Sequence, residues 1–362
     1  LPDADAILPY LRRIDANQYY SNFGPMVGEV ERRLADRFGV PADCVTTVSN
    51  ATSGLTAALQ AEARTRRRNV NDGPAYCLLP AWTFVATLHA VLAAGLEPYL
   101  LDVDEDSWAL TPQAVEHALT RIPGAPVAVV PVAPFGRPLD MEAWDALSAR
   151  TGLAVVVDAA AAFDKGTAGH SPAVFSLHAT KVLASGEGGF VVSRDAGMIE
   201  EIRKCINFGF YGDRVAQSRA INGKMSEYHA AVTLAALDAW PETRGTYLAI
   251  ARAYQDVFQR DNRTRLLPGP GDDYVTSTML LMRDEPLPAD IDATLAALGV
   301  GTRRWWGGGV AKQVAYRRFS SDWLPVTDWI AERTIGLPCF PGLDADGVAE
   351  IAARVDTALK AP

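Results

Sequence analysis

An acid and an amine stand out where buried strands end. Asp158 closes the apolar run LAVVVDAA (153–160). Lys181 lies in FSLHATKVLASGEGGFVVS (175–193), where an apolar strand delivers Ser176, His178, Thr180 and Lys181 into a polar turn. Two more clusters sit at strand-to-helix joins. SNATSGL (49–55) opens a helix with small residues and hydroxyls, and PAWTFVAT (80–87) places Trp82 and Phe84 at another such join. Free N–H groups and a positive dipole end make a helix start suitable for a phosphate. A lysine amine among apolar strands can serve as nucleophile and base. Each feature alone also has a plain structural reading. Asp158 serves as a turn or cap residue, Lys181 as a loop lysine, Ser and Thr as helix caps, and the aromatics as core.

The elements around these residues bring them together. From about residue 45 to 195, short apolar strands alternate with helical patterns. The strands are CVTTVSN (44–50), AYCLLP (75–80), EPYLLDVD (97–104), PVAVVPV (126–132) and LAVVVDA (153–159). Between them run helical stretches such as SGLTAALQAEART (53–65) and TPQAVEHALTRI (111–122), the latter with Thr111 as N-cap and Pro112 in its first turn. This alternation predicts an α/β fold, a mostly parallel sheet with helices on both faces. Ligands in such folds sit at the carboxyl ends of the strands, and all four clusters fall there. A lysine, an acid, hydroxyls at a helix start and an aromatic ring are the parts that pyridoxal phosphate (PLP) chemistry needs. The lysine carries the cofactor as a Schiff base and moves protons. The acid keeps the pyridine nitrogen protonated, the helix start holds the phosphate, and the ring stacks on the pyridine face.

The pattern changes near residue 240. YVTSTMLLMRD (274–284) reads as a strand, ADIDATLAALG (289–299) as a helix, and the end as an amphipathic helix. The expectation is a large cofactor domain over 1–240 and a smaller α+β domain over 241–362, with the N-terminal segment packing on the small domain. The net charge is −9 over 362 residues, which argues against non-specific nucleic-acid binding. An anionic substrate would need a local Arg or Lys cluster. The four cysteines are scattered and read as free thiols of a cytoplasmic protein. No apolar run is long enough for a membrane span, and LPDADAILPY does not read as a signal peptide. The acidic run DVDEDSW (102–108) reads as a strand end and loop, so no metal is expected.

At these residues the chain resembles the DegT/StrS-type sugar aminotransferases, a branch of the fold-type I PLP-dependent transferases. The resemblance runs in family order through SNFGP (21–25), SNATSGL, PAWTFVATLHAVLAAGLEPYLLDVD (80–104), FGRPLDM (135–141) and VVDAAAAFD (156–164). It continues through SLHATKVLASGEGG (176–189), NGKMSEYHAAV (222–232), TRRWW (302–306) and LPCFPGL (337–343). It implies that Lys181 is the Schiff-base lysine and Asp158 the partner of the pyridinium nitrogen. Thr52, Ser53 and Ser176 match phosphate ligands, and Phe84 matches the stacking ring. Asn222 matches an asparagine that reaches the cofactor phosphate of a neighbouring subunit, which implies a homodimer with shared active sites. Family members usually carry Gln or His where Ala161 stands, touching the cofactor's phenolic oxygen.

The resemblance also implies an amino transfer from L-glutamate to a keto-sugar nucleotide, through the pyridoxamine phosphate form. SLHATK with GEGG is similar to the branch acting at C4 of 4-keto-6-deoxy sugars. TRRWW is similar to enzymes making dTDP-4-amino-4,6-dideoxyglucose. C3 transamination, an aminocyclitol substrate, and a non-catalytic PLP-binding regulatory protein are the competing readings. Lys224, Arg303 and Arg304 are candidates for the diphosphate, since Arg presents a bidentate fork to phosphate. His178 is a candidate substrate contact. Trp305 and Trp306 either stack on base or sugar or pack the small domain.

Overall fold

The computed structural model describes residues 1–67, 73–258 and 264–360. In chain order the elements are α1 (Ala4–Asn17), α2 (Pro25–Phe38), β1 (Val45–Val48), α3 (Ala51–Arg67), β2 (Ala75–Pro80), α4 (Val85–Ala93), β3 (Glu97–Leu101), α5 (Pro112–Ala118) and β4 (Ala125–Val129). Then follow α6 (Met141–Thr151), β5 (Ala154–Val155), β6 (Val157–Asp158), β7 (Ala173–Ser176), β8 (Gly189–Val192), α7 (Ala196–Ile206), α8 (Glu227–Asp238) and α9 (Trp240–Phe258). The rest are β9 (Thr264–Leu266), β10 (Met279–Arg283), α10 (Ile291–Ala297), β11 (Ser320–Ser321), α11 (Pro325–Arg333), β12 (Thr334–Leu337) and α12 (Ala345–Lys360).

Strands β11, β3, β2, β4 and β5 lie in that order, all parallel. Strands β6 and β7 pair in parallel, while β8 pairs antiparallel with both β7 and β1. The two ladders meet along residues 154–158: β5 pairs with β4, and β6 pairs with β7. The result is a mostly parallel mixed sheet. Side chains alternate across it, as a strand requires. Cys77 and Leu79 pack with α3, α4 and α7 on one face, and Tyr76 and Leu78 pack with α2, α5, α6 and α8 on the other.

Helices α9, α10 and α12 and strands β10 and β12 build a separate core around an antiparallel sheet in the order β12, β10, β9. Helix α9 passes from one core to the other, with Tyr247 in the first and Ile250 in the second. Residues 310–324 turn back to the large sheet. Val310, Tyr316 and Leu324 join its core, and β11 extends its edge beside β3. Helix α1 packs on α8 through Ile14. Its apolar stripe finds its apolar partner there. Leu1 and Pro2 reach a cavity that Thr302 also lines. The strand expected over 274–284 shrinks to β10. Val275 N–H is drawn to the Asp164 carboxylate at 3.0 Å, which pulls this stretch out of the ladder.

The SNFGP and NGKMSE motifs meet at the start of α2. Glu227 is buried, and its two carboxylate oxygens accept from Met26 N–H at 2.8 Å and Val27 N–H at 2.9 Å. It caps a helix distant in sequence, where the dipole favours an anion. A Cβ on Gly24 would lie 2.6 Å from the Glu227 carboxyl carbon and 2.3 Å from the Tyr19 ring, so only glycine fits. Glu227→Ala should therefore cost about 2–3 kcal/mol of stability, since it orphans two N–H groups. Denaturant unfolding checks this, and a loss below about 0.5 kcal/mol would mean that water replaces the cap.

Candidate active site

Asp158 ends β6, with its backbone fixed by Asp158 N–H to Pro131 O and Ala133 N–H to Asp158 O, both 2.9 Å. Its side chain is buried. Oδ2 accepts from the Thr87 hydroxyl at 2.7 Å, and Oδ1 accepts from Ala160 N–H at 3.1 Å. Burial pushes its pKa above the ordinary carboxylate range. Thr87, Ala160 N–H and the charge of Lys181 pull the other way.

Lys181 sits in a compact loop between β7 and β8. Leu177 N–H bonds Gly188 O at 3.0 Å, Ala179 N–H bonds Gly186 O at 2.8 Å, and Ser185 N–H bonds Leu177 O at 2.7 Å. Gly186 at φ +87° and Gly188 at φ +152° adopt backbone that other residues rarely take, which explains GEGG. The Lys181 side chain is largely desolvated. That lowers its amine pKa, while Asp158 raises it. Burial thus disfavours the charged form of each group. For Asp158, with a raised pKa, the favourable contribution to stability is present at low pH and fades as pH rises through its folded value. For Lys181, with a lowered pKa, it is present at high pH and fades as pH falls.

Both face one cavity of about 350 Å³ at the carboxyl ends of the strands. Thr52, Phe84, Ser176, His178 and Arg303 line it with them. Phe84 caps α4 and stays 55% exposed, an unusual state for a large ring. Ser176 Oγ accepts from His178 N–H at 3.2 Å. His178 Nδ1 lies 2.9 Å from Thr180 Oγ1, and its Nε2 lies 3.7 Å from Glu187. Ser277, Thr278, Arg303, Trp305 and Trp306, from the C-terminal part of the chain, close the other side. Ser277 Oγ donates to Thr180 O at 2.6 Å, which ties the lysine loop to that part. Trp306 stacks on Phe135 at 4.1 Å and meets Trp82 edge-on.

Four expected residues do not line this chain's cavity. Arg304 donates to Asp292 at 2.7 Å, because Arg303 forms a bridge with Gly336 and neighbours on extended backbone point to opposite sides. Ser53 spends its N–H on the Asn50 side chain at 2.8 Å, and its hydroxyl faces Ser49. Asn222 is exposed and accepts from Lys224 Nζ at 2.8 Å, while the Lys224 ammonium lies 4.4 Å from the Phe208 ring centre. Sequence reasoning missed Asn50, Thr83, Thr87, Glu187 and Ser277. Asn50 carried a signal, as an N-cap residue type just before α3.

The residues present fit PLP. A buried carboxylate that, among the described residues, has no cationic hydrogen-bond partner matches a ring nitrogen that carries a proton. An exposed phenyl ring matches a flat ligand, a helix start with Asn50 and Thr52 matches a phosphate, and a desolvated amine matches the aldehyde carbon. Ala161 lines the cavity with a methyl group and offers no side-chain hydrogen bond. Among the described residues, no group of three or more His, Cys, Asp or Glu could hold a metal ion, and no helix is long and apolar enough to cross a membrane.

The fold is that of the PLP-dependent aminotransferases. A Bacillus cereus ATCC 10987 structure provisionally assigned to that class superposes at TM-score 0.89 with 28% identity, covering 98% of this chain and 97% of that one. DesI, solved in the presence of its TDP-sugar product, superposes at TM-score 0.83 with 30% identity, covering 99% and 91%. The chain belongs to the DegT/DnrJ/EryC1/StrS aminotransferase family, whose model matches residues 3–356. A dTDP-4-amino-4,6-dideoxy-D-glucose transaminase of Shigella dysenteriae is 32% identical over 266 residues, 72% of this chain and 67% of that protein. Protein Rv3402c of Mycobacterium tuberculosis (strain ATCC 25618 / H37Rv) is 36% identical over 229 residues, 60% of this chain. That match spans 53%, about half, of the relative's length.

Proposed function

We propose that the protein is a PLP-dependent aminotransferase that moves the amino group of L-glutamate to C4 of dTDP-4-keto-6-deoxyglucose. One observation carries this reading: Lys181 and Asp158, both desolvated, share a cavity with the starts of α3 and α4. The family supports amino transfer. The substrate is inferred from the names of the Shigella relative and DesI, and from the SLHATK, GEGG and TRRWW motifs. The proposal includes a homodimer in which Asn222 and Lys224 serve the neighbouring subunit's site.

Bound PLP supplies an electron sink for the pair left when a C–H bond beside nitrogen breaks. The protein's residues do the rest. Lys181 Nζ takes the proton from the donor's α-carbon and later returns one to the sugar carbon, as base and then acid. Asp158 holds a proton on the ring nitrogen. Thr52, Ser176 and the start of α3 bind the phosphate, and Phe84 covers the ring. Arg303 is free for the nucleotide diphosphate: among the described residues its guanidinium has no carboxylate partner, and it lies 5.6 Å from the Trp305 ring centre. Arg303→Ala should raise KM for the nucleotide sugar about tenfold, with the glutamate half-reaction unchanged. An unchanged KM would remove Arg303 from the substrate.

The direct test loads purified protein with pyridoxamine phosphate and adds dTDP-4-keto-6-deoxyglucose without an amino acceptor. Return of the visible absorbance of the PLP form, with a product of the mass of the 4-amino sugar, is expected. No change, in protein that still reacts with glutamate, would keep the enzyme and reject this sugar in favour of C3-keto or cyclitol substrates.

A further inference from the structure

Two buried threonines beside the site have no part in the chemistry above. Thr83, just before α4, and Thr87, in its first turn, are each 1% exposed. Their hydroxyl oxygens lie 2.8 Å apart, and Thr87 donates to Asp158 Oδ2 at 2.7 Å. A hydroxyl has one proton, and an ionised carboxylate only accepts. Thr87 therefore spends its proton on Asp158 and takes the hydrogen bond of Thr83. Donation runs in one direction, from Thr83 through Thr87 to Asp158.

We propose that Thr83 and Thr87 form a hydroxyl relay that holds the Asp158 carboxylate as an acceptor for the cofactor's ring nitrogen. This rests on the PLP reading of the cavity. A proton on Asp158 weakens the hydrogen bond that Oδ2 accepts from Thr87, and the Thr83 hydroxyl keeps Thr87 oriented to make that bond. Burial favours the neutral acid, and the Thr87 bond opposes it. The other ionisable groups lining the cavity are Lys181, His178, Glu187 and Arg303, and of these Lys181 is the one whose charge acts on Asp158. Both threonines work through Asp158, so they are positioning residues.

Cofactor binding tests the relay without relying on turnover. Apoprotein is titrated with pyridoxamine phosphate, which needs no bond to Lys181, and with PLP, across the acid and neutral range. Thr87→Val should weaken pyridoxamine phosphate binding about tenfold. The loss should deepen as pH falls, because Asp158 then protonates at higher pH. Thr83→Val should move the profile the same way by less, and Thr87→Ser should restore it. Wild-type affinity and pH profile in a folded Thr87→Val protein would overturn the relay. Should that variant not fold, a wild-type profile in Thr83→Val would overturn it instead. Failure of the unmodified protein to bind either cofactor form would overturn the PLP reading itself, and the relay with it.

Discussion

Lys181→Ala is expected to abolish turnover while leaving a folded protein that still binds pyridoxamine phosphate. The amine shares the cavity with Asp158 and is desolvated, which suits a base, and proton transfer alone is worth about 10²–10⁴ in rate. Losing the cofactor's attachment point adds to that, so a fall of at least about 10⁴-fold is expected. Burial lowers the Lys181 pKa, so more of its amine is neutral at a given pH than in an ordinary lysine. The basic form is lost as pH falls through that lowered value. Single-turnover kinetics with each half-reaction checks the prediction, and full activity in the variant would end the proposal for Lys181.

Asp158→Asn should slow both half-reactions by about 10³-fold, or roughly 4 kcal/mol of barrier. An amide carries no charge to hold a proton on the ring nitrogen, so the electron sink weakens. The amide keeps one oxygen to accept from Ala160 N–H, and its NH2 can donate to the Thr87 hydroxyl, so the fold should survive. Circular dichroism and cofactor titration separate the two effects. Near-wild-type rates in a folded, cofactor-loaded variant would remove Asp158 from its role.

The site's chemical centre was legible because charge at the end of a buried apolar strand is costly without a purpose. Asp158 and Lys181 carry that signal in LAVVVDAA and AVFSLHATK. Phe84 and Thr52 followed from strand-to-helix joins. What the sequence could not show was which neighbour in a pair faces the cavity. Arg303 and Arg304 look alike in TRRWW, and the bridge to Gly336 decides between them. Ser53 looks as suitable as Thr52, but Asn50 and Ser49 claim its N–H and hydroxyl. Thr87 reads as an ordinary helical residue, and its importance comes from a contact to Asp158. Ser277 lay in a stretch read as a strand, and Asp164 bends that stretch away by binding Val275 N–H. Such facts depend on long-range packing, which local pattern does not encode.

The return of residues 310–324 to the large sheet bears on how the molecule moves. Two bodies joined by one linker can swing about a hinge. Here the chain leaves the large core along α9, comes back to place β11 beside β3, and leaves again into α11. The Asp102 carboxylate grips that last departure through Val326 N–H and the Thr327 N–H and hydroxyl, at 2.6–2.9 Å. Rotation of α11 away from the large sheet would have to break that grip. The side chains at the rim, such as Phe84 and Arg303, are therefore expected to move before the molecule as a whole when a bulky ligand is exchanged.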